Sequence, residues 1–225
     1  MNKKQILSIF TFFVMLNMVV MANFTEEWGY SGIEQLVTSF DIEVQEFSLM
    51  LMLFNLSIDI IFIYFISVKT LSIFNLADYI ISRSSWRRFL GLAVKEISKT
   101  NIVIVSIKCC ADLIFVLPKD YVKVFYLAFL YATTLFTLGL FFIILIRYRV
   151  STTIALFITI SSTLFLKVLS HKVSFASIFV VAAPNYLNDY LLLSGGKIIN
   201  IMLLLFILFW RGSQDLTARK VNLMF

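Results

Sequence analysis

Six stretches of the chain run apolar over helix-like lengths: 6–22, 49–68, 102–117, 124–146, 152–169 and 197–210. The runs are continuous, not alternating. This predicts helices and argues against a β-barrel, whose strands alternate in short segments. About 20 residues cross a bilayer core, with a range of about 17–25. The second, fourth and fifth runs fit that length, while the third and sixth need a turn from their flanks. Residues 173–183, VSFASIFVVAA, are apolar but too short to span, and are expected to re-enter or lie at the interface. The expected fold is all-α: a polytopic membrane protein of about six transmembrane helices in one domain, 1–225.

The polar residues between the runs set a direction. Lys3 and Lys4 precede the first run. The segment 23–48 carries Glu26, Glu27, Glu34, Asp41, Glu43 and Glu46, with no Lys or Arg. The segment 69–101 carries Lys69, Arg83, Arg87, Arg88, Lys95 and Lys99 against Asp78 and Glu96. Arg147 and Arg149 separate the fourth and fifth runs, and Arg211, Arg219 and Lys220 follow the sixth. With six spans, all these basic segments fall on one side. The positive-inside rule then places both termini and loop 69–101 in the cytoplasm, and the acidic loop 23–48 outside. Lys119, Lys123, Lys172 and Lys197 fall on the outer side against this bias.

The first run admits a second reading. Lys3-Lys4, the apolar stretch and Val20-Met21-Ala22 are similar to a secretory signal with its cleavage site. The run has 17 residues, longer than a usual signal core, which favours a retained helix. Gly195-Gly196 suits a turn before the last span.

Within loop 69–101, Trp86, Phe89, Leu90, Ala93, Val94 and Ile97 recur at helical spacing, which predicts an amphipathic helix over 86–97. Arg87, Arg88, Lys95, Glu96 and Lys99 fill much of its other face. Ile73, Phe74, Leu76, Ala77, Ile80 and Ile81 form a second, less regular stripe. Two short helices bent around Ser82–Ser85 are expected. Such a surface suits anionic lipid headgroups, a docking protein or both.

Composition supports the membrane reading. The chain is 60% hydrophobic and 14% charged, whereas soluble domains run near half apolar and a quarter charged. The net charge of +6 does not indicate nucleic acid, because the bases flank apolar spans. Cys109 and Cys110 are adjacent within an apolar run and read as small apolar residues.

Catalytic patterns are missing. The single histidine, His171, cannot build a metal site. No GxSxG elbow occurs, and Gly195-Gly196-Lys197 lacks the rest of a phosphate loop. No metal, directly bound cofactor or enzymatic activity is expected.

Charges inside the apolar runs stand out more. Asp59 lies near the middle of the second run, and Lys108 and Asp112 lie four residues apart in the third. Each costs about 2.5–3.5 kcal/mol at a bilayer centre on the insertion scale. Lys108 can pair with Asp112 along its helix or with Asp59 across helices. The three either fix packing or line a polar path. Lys167, near the outer end of its span, is expected to snorkel.

The layout resembles the ABC-2 type permeases. More narrowly, it resembles the small permease subunits of bacterial ABC exporters linked to bacteriocin or lantibiotic export and immunity. YIISRSSWRRFLGLAVKEISK resembles the segment that leads such permeases from span two into span three. FWRGSQDLTARK resembles their short basic ending, and the piece 173–183 resembles the outer re-entrant helices of that fold. The chain departs from the larger branches in having no room, before position 6, for an in-plane helix. The resemblance implies a coupling helix in loop 69–101 that docks on a separate ATP-binding-cassette ATPase, through Arg83, Trp86, Arg87, Arg88 and Phe89. ATP would act only through that ATPase. It also implies a second permease chain, alike or different, contacts with membrane lipids, and a multi-pass place in a bacterial cell membrane. The cargo would be an amphipathic peptide or a lipid-like molecule. Two other functions are open on the residues alone. One is a stand-alone membrane immunity or stress protein. The other is an ion-coupled secondary transporter using Asp59, Lys108 and Asp112.

Overall fold

The computed structural model describes residues 3–24, 40–41, 46–47, 49–75, 86–115, 121–148, 150–170, 173–180 and 190–210. Among them are six helices: α1 (Lys3–Phe24), α2 (Leu49–Asn75), α3 (Trp86–Leu113), α4 (Tyr121–Arg147), α5 (Thr152–Ser170) and α6 (Tyr190–Trp210). A 3₁₀ turn covers Ser174–Ile178. Two-residue strands, β1 (Phe40–Asp41) and β2 (Glu46–Phe47), pair antiparallel with Phe40 opposite Phe47. The rest of the acidic segment lies outside the described residues.

Four helices are long and apolar enough to cross a membrane, through Met52–Thr70 in α2, Val124–Arg147 in α4, Thr152–Ser170 in α5 and Leu192–Trp210 in α6. Several of their hydroxyl groups are satisfied within the helix, as suits a lipid environment. Thr133 and Thr134 donate to Leu130 O, Thr137 to Thr133 O, Thr159 to Ala155 O and Thr163 to Thr159 O, all at 2.7–3.0 Å.

The hub is α4, which packs against α2, α3, α5 and α6, while α1 packs on α3. Contacts fix the directions. Asn101 Nδ2 donates to Ala132 O at 2.8 Å, and Ile97 lies against Gly139, so α3 and α4 are antiparallel. A Cβ on Gly139 would sit 2.7 Å from Ile97 Cγ2, so the close approach needs glycine. Phe74 meets Phe89 edge-on at 5.0 Å and Lys69 reaches Thr100, so α2 and α3 are antiparallel. The four-residue connection after Arg147 turns α4 back into α5, with Ser151 capping α5 through the Ile154 N–H at 3.4 Å. Lys197 bonds Thr134, and further along Arg147 bonds the Ile207 and Leu208 carbonyls, so α6 runs parallel to α4. Arg147 thereby serves carbonyls that the last turn of α6 leaves without intrahelical partners.

Several boundaries differ from the sequence reading. The amphipathic piece 86–97 and the third span are one 28-residue helix, about 42 Å long. Nothing between Ile97 and Ile102 breaks it. Ala93, Ile97, Thr100, Ile104, Ile107 and Ala111 form one buried stripe across the junction. Ile73 and Phe74 belong to the end of α2, and the remainder of the second stripe falls outside the described residues. Gly195-Gly196 is no turn but lies inside α6, which starts at Tyr190. A Cβ on Gly196 would meet Ile178 Cδ1 at 2.9 Å, so glycine lets the 3₁₀ turn lie against the helix. The short apolar piece thus folds onto α5 and α6, with Ala176 and Val180 buried.

Candidate functional site

Among the described residues, two groups carry the polar chemistry: a buried tier between the helices and a basic end on α3. In the tier, Lys108 pairs with Asp112 along α3, and Asn17 of α1 donates to the same carboxylate at 2.8 Å. Asp59 does not take Lys108. Its Oδ2 lies 2.7 Å from Lys167 Nζ, as an ion contact instead of a directed hydrogen bond. Its Oδ1 accepts from the Tyr131 hydroxyl at 3.2 Å, within reach of Asn55 O at 3.4 Å. Lys197 Nζ donates to Thr134 Oγ1 at 2.8 Å and to Ile178 O at 3.2 Å.

All five charged residues are buried. Lys167 does not snorkel: it is buried, and its ammonium meets Asp59 of α2. Lys197 is fully enclosed by α4, α6 and the 3₁₀ turn. Pairing offsets the cost of burying Asp59, Lys108, Asp112 and Lys167. Lys197 is stabilised by a hydroxyl and a carbonyl.

Lys108, Cys109, Asp112 and Tyr131 line a cleft of about 10 Å³, room for roughly one water. That volume suits a hydrated polar junction, not a substrate chamber. No group of three metal-ligating side chains occurs among the described residues.

At the other end of α3, Arg87 and Arg88 are exposed. Phe89 is not on that surface. It is fully buried against Phe74 and anchors the helix to α2, which removes it from the predicted docking contacts. Trp86 opens α3, and Arg83 lies outside the described residues. About two turns beyond Phe89, Glu96 bonds Lys99 at 3.0 Å and approaches Lys69 at 3.7 Å. The Lys99 hydrogen bond, against partial desolvation, holds the Glu96 carboxyl below its ordinary range.

The sequence reading missed Asn17, Tyr131 and Thr134 as members of the tier. Asn17, a carboxamide in the middle of an apolar run, was a readable signal. Tyr131 and Thr134 carry none, since both residue types are common in such helices. Comparison with family models, curated proteins and solved structures returns no match.

Proposed function

We propose that the chain is the membrane-spanning permease subunit of an ATP-binding-cassette exporter. It has six spans, with α1 and the second half of α3 joining the four apolar helices, and both termini in the cytoplasm. A separate ATPase hydrolyses ATP, and a second permease chain completes the pathway. The cargo is an amphipathic peptide or a lipid-like molecule, and the protein works in a bacterial cell membrane.

The observation that carries this reading is the continuity of α3. Its exposed basic end at Arg87 and Arg88 is one rigid rod with the buried Lys108–Asp112 pair, about 32 Å away. Phe89 and Leu90, both fully buried, lock the start of the rod to the bundle. A partner that pushes on the arginines moves the polar tier without bending the helix.

Co-purification tests this. The tagged chain is extracted from its native host in mild detergent beside an Arg87→Glu/Arg88→Glu variant. The proposal expects a stoichiometric nucleotide-binding subunit with the wild type and its loss from the variant. Absence of any ATPase, even after cross-linking in intact membranes, would sink the proposal and leave a stand-alone membrane protein.

A further inference from the structure

The perimeter of the bundle is uneven. The outward faces of α5 and α6 are apolar: Ile154, Phe157 and Phe165 on one, Ile199, Met202 and Phe206 on the other. The outward face of α3 is different. Arg88, Lys95, Lys99, Ser106 and Cys110 are exposed at helical spacing, interrupted by Leu92 and Ile102. Gly91 adds a bare patch between Arg88 and Lys95, where a Cβ would meet nothing within 4 Å.

This face lies beside membrane-grade structure. Ile97 touches Gly139, inside the apolar stretch Val124–Arg147 of α4. Lys95 and Lys99 therefore stand about 12 and 18 Å along the helix from Arg87, level with the last turns of α4. Lipid tails do not tolerate exposed charge: Lys99 meets Glu96, whereas Lys95 makes no ion pair among the described residues. The one carboxylate on this half of α3, Glu96, is already engaged by Lys69 and Lys99. A second copy is a poor match. A two-fold axis along the membrane normal would set Lys95 against its own copy.

We propose that Gly91, Lys95 and Lys99 form a binding groove for the anionic headgroup of a phospholipid in the adjoining leaflet. The phosphate is drawn by the two ammonium groups, the acyl chains lie along Ile102 toward the bilayer centre, and Gly91 lets the headgroup approach the backbone. This does not depend on docking to an ATPase, which would engage Arg87 and Arg88 at the start of the helix, whereas Lys95 and Lys99 lie about two and three turns further on.

The test is a native mass-spectrometry titration of the purified full chain with phosphatidylglycerol and phosphatidylcholine of matched acyl chains. Each lysine near a headgroup is worth about fivefold in binding. The wild type should therefore prefer phosphatidylglycerol at least fivefold. Lys95→Gln/Lys99→Gln should bring the two lipids to parity, and Lys95→Arg/Lys99→Arg should keep the preference. Both residues are exposed, so neither variant threatens the fold. Equal binding of the two lipids by the wild type, or a preference that survives the glutamine variant, would overturn the proposal.

Discussion

Lys167 and Asp59 are 108 positions apart in the chain, yet each is the other's closest counter-charge. Asp59, Lys108 and Asp112 were legible as charges inside apolar runs. Their pairing was not, because the lateral order of helices is not written in local spacing. Only the i,i+4 pair Lys108–Asp112 was readable from one helix. At this scale the tier behaves as a set of fixings. Lys167→Met should strand Asp59 in the bundle and cost roughly 3–5 kcal/mol. Asp59→Asn/Lys167→Met should recover most of that loss. Equilibrium unfolding in mixed micelles measures both. If Asp59→Asn instead left stability intact and abolished transport, the residue would belong to an ion path. Glu96 gives a pH effect of defined sign. Its carboxyl is held below the ordinary value, so its contribution is complete above about pH 4.5 and is lost as pH falls through the lowered pKa. The site is partly exposed, so the contribution is small, about 0.2–1 kcal/mol. Melting curves from pH 7 to pH 3 should show an acid-dependent loss that Glu96→Gln no longer has.

Helices were easier to read than their ends. The apolar runs of α2, α4 and α5 were placed to within a few residues, apart from the extra seven residues at the end of α2. The joint at 97–102 is no boundary, because its polar residues do not interrupt the helix. Lys99, Thr100 and Asn101 are polar, but Thr100 and Asn101 face inward between Ile97 and Ile104, and Asn101 bonds α4. The start of α6 was misjudged because Gly195-Gly196 has a turn signature, whereas Gly196 serves helix packing. Two glycines therefore make opposite predictions. Gly139→Ala forces α3 and α4 apart and should cost about 1–3 kcal/mol, with Ile97→Ala/Gly139→Ala less than additive. Gly91→Ala faces open space and should be neutral or stabilising by up to about 1 kcal/mol in the same unfolding measurement, through helix propensity.

On the scale of the whole molecule, α2 to α6 alternate in direction around α4, and α6 returns parallel to α4 after the chain has passed through α5 and the 3₁₀ turn. The C-terminal ends of α2, α4 and α6 and the N-terminal ends of α3 and α5 thus share one end of the bundle. That end carries Arg87, Arg88 and Arg147, the same asymmetry that the charge pattern of the sequence displays. The sequence could assign this end to a side of the membrane only through the positive-inside rule, because helix packing alone is blind to the bilayer's two faces.

The proposed function stands on that assignment, so accessibility of the α3 end is the measurement to make. Arg87→Cys is introduced with Cys109→Ala and Cys110→Ala, and a membrane-impermeant maleimide is applied to intact cells and to inverted vesicles. The account predicts labelling in inverted vesicles and none in intact cells. Labelling from outside intact cells would place the basic end away from any cytoplasmic ATPase and contradict the account.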